Sequence, residues 1–207
     1  MASRLQCEAL HLWRGEHHVL RGVQLSVSAG EVLQITGANG SGKTSLLRTL
    51  CGLMQPDEGR VLWDERDVRQ DWPAYWSSLA YLGHEPPLKG ELSGRENLQF
   101  WIGVRRRLDS RALDAALERV GAGAWKERLV RTLSAGQRRR VALAGLALLE
   151  VPIWLLDEPT TNLDAAGREL VGQLIEAQCD RGGLVIAAVH QDLPIHPGRL
   201  RQLELAA

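Results

Sequence analysis

The run Gly37-Ala38-Asn39-Gly40-Ser41-Gly42-Lys43-Thr44 has the residue types and spacing of a phosphate-binding loop. Its glycines let the backbone curl until successive N–H groups face inward, and a helix starting directly after it adds a positive end, so the loop is an anion cradle. Lys43 is placed to reach the β- and γ-phosphates of a nucleotide, and the Thr44 hydroxyl is a hard oxygen suited to Mg²⁺. With Ser45 in the first helical turn, residues 37–45 form the expected nucleotide-binding set.

A second chemical feature lies far along the chain, where the apolar run Ile153-Trp154-Leu155-Leu156 ends in two acids, Asp157 and Glu158. The carboxyl edge of a parallel sheet is where α/β folds bind their ligands. Asp157 is expected to hold Mg²⁺ directly or through a water. Glu158, pointing elsewhere, is expected to polarise a water for in-line attack on the γ-phosphate. Two acids after a strand also occur as a solvated turn, and it is the phosphate loop elsewhere in the chain that favours the catalytic reading.

These groups need a scaffold to bring them together. Residues 31–36 read as a strand entering the loop. Residues 44–53 read as a helix leaving it, with Leu46, Leu47, Leu50 and Leu53 on one face and Gly52 and Pro56 ending it. Alternation over 5–13 and 20–27 predicts antiparallel strands. Apolar runs at 153–156 and 184–189, separated by a helical pattern over 165–179, predict a βαβ unit and hence a buried parallel sheet. Between about 86 and 149 the pattern is mainly helical, clearest over 110–120 and 134–149. The expected fold is α/β: one domain over 1–207, with a core of 1–85 and 150–207 and a helical subdomain inserted at about 86–149. A mixed central sheet and an antiparallel β subdomain make up the core.

Bulk composition narrows the function classes. A chain of 207 residues can bury a large core as one unit. Lys+Arg and Asp+Glu both number 25, so net charge draws the chain neither to nucleic acid nor to an acidic membrane. The basic triplets at 105–107 and 138–140 are then read as solvated helix faces. The start of the chain lacks the charged and apolar regions of a leader, and the greasiest stretch, 141–156, carries Gly145, Glu150 and Pro152 and is too short to span a bilayer; a cytosolic chain is expected. Cys7, Cys51 and Cys179 form no CxxC pair and are expected to be reduced thiols with packing roles.

Leu133-Ser134-Ala135-Gly136-Gln137 is the most discriminating stretch, because it resembles the signature motif of ABC ATPases. Ser134 and Gln137 also stand at capping-box spacing before a long helical pattern, which gives a second helix end able to meet an anion. The resemblance implies that this end meets the γ-phosphate of ATP held by a second copy of the cassette, in an ATP-dependent head-to-tail dimer. It further implies a dimer-contacting loop at 159–164 with Asp164, and a switch histidine at His190 that hydrogen-bonds the γ-phosphate. Where the family has a glutamine after the strand that follows the first core segment, this chain has His84 and Glu85, either of which could take its Mg²⁺ contact. Trp13 is the candidate to stack on adenine, with a buried core position as the alternative.

The resemblance covers nearly the whole chain and extends to one subgroup, the ATP-binding export subunits of bacterial cytochrome c maturation. It is carried by Tyr81-Leu82-Gly83-His84, Pro86, Leu88-Lys89, Leu92-Ser93, Glu96-Asn97-Leu98 and residues 137–144. That subgroup usually reads Gly-His-Gln where this chain reads Gly83-His84-Glu85. What the resemblance implies is a peripheral subunit on the cytoplasmic face of the inner membrane. It would hydrolyse ATP, touch the membrane only through integral membrane subunits, bind no nucleic acid, and take part in haem export. The CxxCH haem-attachment motif is absent.

Overall fold

The computed structural model describes residues 5–105, 107 and 109–205; residues 1–4 of the leader reading and Arg106 of the first basic triplet lie outside them. Strands β1 (Leu5–Arg14) and β2 (His17–Val27) form a hairpin, followed by β3 (Val32–Thr36) and helix α1 (Lys43–Leu50). Next come β4 (Glu58–Trp63), the two-residue β5 (Arg66–Asp67), α2 (Trp72–Ser77) and β6 (Leu79–Leu82). Three helices follow, α3 (Gly94–Gly103), α4 (Ser110–Arg119) and α5 (Ala135–Leu148), then β7 (Ile153–Asp157), α6 (Ala165–Asp180), β8 (Leu184–Ala188) and β9 (Leu200–Glu204).

The strands divide into two sheets. An antiparallel sheet has the order β2-β1-β4-β5, and a parallel sheet has the order β6-β7-β8-β3-β9. Among the described residues the central sheet is parallel where a mixed one was expected, and the expected antiparallel β subdomain is the separate β2-β1-β4-β5 sheet. β7 and β8 are buried at every position, which is why they read as unbroken apolar runs.

Alternate residues of the parallel sheet face two different cores. Leu33, Ile35, Ile153, Leu155 and Ile186 pack toward α1 and the antiparallel sheet. Trp154, Leu156, Val185 and Ala187 pack toward α3–α6. In α1 the fully buried Leu46, Leu47 and Leu50 anchor the helix that carries Lys43, each such side chain contributing about 1.5–3 kcal/mol. Leu53 departs from its expected place on that face: the helix closes at Leu50, Leu53 N–H bonds back to the Arg48 carbonyl, and its side chain is exposed.

The second basic triplet also departs from its expected role. Arg139 is buried, and Arg140 donates to the Val120 carbonyl at 3.0 Å and to the Asp164 carboxylate at 2.9 Å. Only Arg138, bonded to the Leu133 carbonyl at the start of its own helix, stays within local reach. Helix α5 is enclosed on nearly all sides by α3, α4, α6 and the sheet, so positively charged residues on it are turned into the protein and must find acceptors there.

All three cysteines are unpaired and buried. Burial pushes the Cys7 thiol up to about 12 and the Cys51 and Cys179 thiols up to about 11. The reactive thiolate is thus suppressed at pH 8, well below all three values. The folded chain should resist alkylation by iodoacetamide at that pH, with three thiols labelled only after denaturation. Mass spectrometry of the labelled protein checks this, and fast labelling of the native chain would contradict the burial.

Candidate active site

The phosphate loop joins β3 to α1 and closes the helix with Gly42 at its N-cap in the left-handed region, φ 98°. A Cβ at Gly42 would crowd the Val19 carbonyl at 3.1 Å, and one at Gly37, φ 139°, would strike the Leu205 carbonyl and the Ser41 hydroxyl. Only glycine serves at either position. The Lys43 ammonium, on the buried side of the loop, donates to the carbonyls of Gly37 at 2.7 Å and Ala38 at 3.0 Å, which folds it back along the cradle. The first turn of α1, with Lys43, Thr44 and Ser45, carries N–H groups that lack helical acceptors and are open to an anion.

The acid pair arrives from β7. Asp157 pairs in register with Ala188 of β8 and is almost fully buried, and its Oδ2 atom has no hydrogen-bond partner among the described residues. Glu158 lies just beyond the strand with φ 50°, an unfavourable backbone region for a glutamate, and its N–H bonds to the Ala188 carbonyl at 2.9 Å. That turn swings its carboxylate away from Asp157. One oxygen, Oε1, lies 2.7 Å from His190 Nε2, and the other accepts the Thr161 hydroxyl at 3.0 Å. Thr161 is a site residue that sequence reasoning passed over, although its place three residues after Glu158 was available as a signal.

A cleft of about 500 Å³ brings these pieces together: Asn39, Gly40, Gly42, Lys43, Thr44 and Ser45 on one side, Glu158 and His190 on another. Its remaining wall is the β1–β2 hairpin end, through Arg14, His17 and Val19. Trp13 does not line it and is not a core residue either. At 37 % exposure its ring stacks on His18, with centroids 3.9 Å apart and planes 7° from parallel, on the outer side of the hairpin. The register of β1 against β2 shifts between Leu12 and Trp13, and the residue of this strand end that lines the cleft is Arg14.

The signature stretch lies apart from the chain's own cleft. Its capping box forms as predicted, Gln137 N–H to Ser134 Oγ at 3.2 Å and Ser134 N–H to Gln137 Oε1 at 2.9 Å. Leu133 is buried beneath the turn, while Ser134 and Ala135 are exposed. Gly136 lies so close to the Asn162 carbonyl that an added Cβ would collide with it, so the signature turn packs directly on the loop after Glu158. Asp164 caps α6 by accepting Gly167 N–H at 2.8 Å, and that bond with the Arg140 charge holds its carboxyl below the usual range. His84 and Glu85 are exposed on the loop after β6, and neither lines the cleft.

The residues present fit a magnesium nucleotide. A buried carboxylate oxygen of Asp157 without a partner among the described residues and the Thr44 hydroxyl at the helix start are hard-oxygen donors of the kind Mg²⁺ takes. The glycine cradle with a buried lysine suits a polyphosphate. Glu158, fixed on one side by Thr161 and on the other by His190, can accept a proton from a water in the cleft.

Comparison with known proteins bears on the family. The family profile described as ABC transporter matches residues 20–161. The cytochrome c biogenesis ATP-binding export protein CcmA of Methylococcus capsulatus is 43 % identical over 203 residues, covering 98 % of both chains. The protein of the same name from Escherichia coli is 39 % identical, over 99 % of this chain and 95 % of its own. Among solved structures, cbiO1 of Clostridium perfringens, part of the ABC transporter complex cbiONQ, superposes with a TM-score of 0.76 at 29 % identity, covering 94 % of this chain and 81 % of that one. The chain thus belongs to the ABC transporter family, as one of its ATP-hydrolysing subunits.

Proposed function

We propose that this chain powers a bacterial export complex for cytochrome c biogenesis, hydrolysing ATP to drive haem delivery to, or release of, a periplasmic haem chaperone. The observation that carries the catalytic part is the 2.7 Å contact of His190 with Glu158 across the cleft that also holds Lys43 and Thr44. The choice of complex is supported by relatives about 40 % identical over nearly the full length.

In this reading the loop N–H groups and Lys43 bind the β- and γ-phosphates, and Arg14 and His17 flank the rest of the nucleotide. Thr44 and Asp157 hold Mg²⁺, which when bound neutralises phosphate charge. Glu158 takes the proton of the attacking water while His190 donates toward the γ-phosphate, and Thr161 keeps the Glu158 carboxylate from rotating out of line. Two copies pair head to tail, each offering its exposed Ser134–Gln137 helix end and the Asp164 loop to the other's ATP. The loop with His84 and Glu85 faces the integral membrane subunits on the cytoplasmic side, and one of the two stands in for the family's glutamine. Among the described residues no helix is long and apolar enough to cross a membrane.

Replacing Glu158 by Gln should leave ATP binding intact and lower turnover by roughly 10²–10⁴-fold, the usual weight of a general base. Gel filtration with ATP should then reveal a trapped dimer, and turnover at the wild-type rate would remove Glu158 from its role. Lys43→Ala should weaken ATP binding by about 10- to 100-fold through loss of a charge-assisted contact; isothermal titration measures it, and unchanged affinity would refute the cradle. Cells whose only copy is E158Q should lack haem-stained c-type cytochromes, whereas normal cytochromes in such cells would assign the ATPase to another cargo.

A further inference from the structure

Arg139 is a charged side chain with 2 % exposure, set one turn inside the signature helix α5. Its two terminal nitrogens meet no carboxylate within ion-pair distance among the described residues. One donates to the Gly83 carbonyl at 3.0 Å and the other to the His84 carbonyl at 2.7 Å. The guanidinium thus clamps two consecutive peptide groups in the loop that leaves β6. β6 runs parallel to β7 with Leu82 opposite Leu156, so this loop departs beside Asp157 and Glu158.

Burying a guanidinium is costly unless its donors are satisfied, and two main-chain carbonyls are weaker partners than a carboxylate. Burial does lower the Arg139 pKa, while the negative charges of Asp157 and Glu158 raise it again. The cation is therefore held both by the loop it clamps and by the field of the acid pair. A neutral apolar side chain would fill the same space without that penalty. What the arginine adds is a rigid fork that fixes the loop's distance from α5.

We propose that Arg139 is a positioning residue for ATP hydrolysis, tying the loop 83–85 to the signature helix so that the loop and the acid pair keep one fixed relation. The same tie gives a route by which displacement of α5, when its exposed end meets a second copy's nucleotide, reaches this chain's own hydrolysis centre. The hydrolytic part rests on the function proposed above, whereas the clamp itself does not.

The experiment compares wild type, R139K and R139Q in the full chain. Lysine keeps the charge on a single nitrogen without the planar fork that gives each carbonyl its own donor nitrogen, and glutamine keeps a donor without the charge. Amide hydrogen exchange should accelerate about tenfold or more in peptides covering 83–85 of both variants, with the strand 153–157 unchanged. In the assembled complex kcat should fall roughly ten- to a hundredfold, as for a displaced catalytic loop, while ATP affinity stays within about twofold. Wild-type exchange and kcat in R139K would overturn the proposal. So would a loss of kcat matched by loss of folded protein and of ATP affinity, since that marks a merely structural residue. Should wild type itself fail to hydrolyse ATP, the function proposed above falls, and the exchange measurement alone decides for or against the clamp.

Discussion

Three neighbouring parallel strands end at one edge of the sheet, and their register decides what stands there. β8 pairs with β3 through Ala188 and Ile35, and with β7 through Ala188 and Asp157. The phosphate loop, the acid pair and His190 therefore leave the sheet at one level. A slip of one residue in β7 would turn Asp157 to the other face and send Leu156 toward polar groups. Burial on both sides prevents this, because Trp154 and Leu156 belong to one core and Ile153 and Leu155 to the other.

Given that edge, the charges in and behind the site are satisfied in an unusual way. Lys43 and Arg139, both buried, rest on main-chain carbonyls and leave the carboxylates open to other partners. Asp157 keeps one oxygen without a partner among the described residues, and Glu158 holds a positive φ. Each is locally unfavourable, by about 1–3 kcal/mol for the backbone alone, and each is held by the surrounding pairing.

The elements around the cleft are linked by close contacts that cross the sequence. The Gly136 turn presses on the Asn162 carbonyl, Arg140 reaches Asp164, and Arg139 reaches the loop after β6. One helix thereby touches two of the loops that border the acid pair. Cores and packed turns of this kind deform little, so a shift at the end of α5 is carried to them as a unit.

The sequence by itself determined the features whose cause lies within a few residues. Glycine spacing set the phosphate cradle, Ser134 with Gln137 set the cap of α5, and unbroken apolar runs set β7 and β8, since each rests on local backbone geometry or on a simple period. The order of those motifs also placed the chain in its family. Tertiary structure alone decided the rest. β9 joined the parallel sheet beside β3, although Leu200–Glu204 carries a weak pattern, because the strand is stabilised by the neighbour's free edge. Trp13 gave its place beside the phosphate loop to Arg14, because which face of a strand looks at a ligand depends on where the whole hairpin docks. Arg139 read as one of three solvated cations, because its acceptors lie some fifty residues away on another strand's end and no local pattern encodes a partner at that separation.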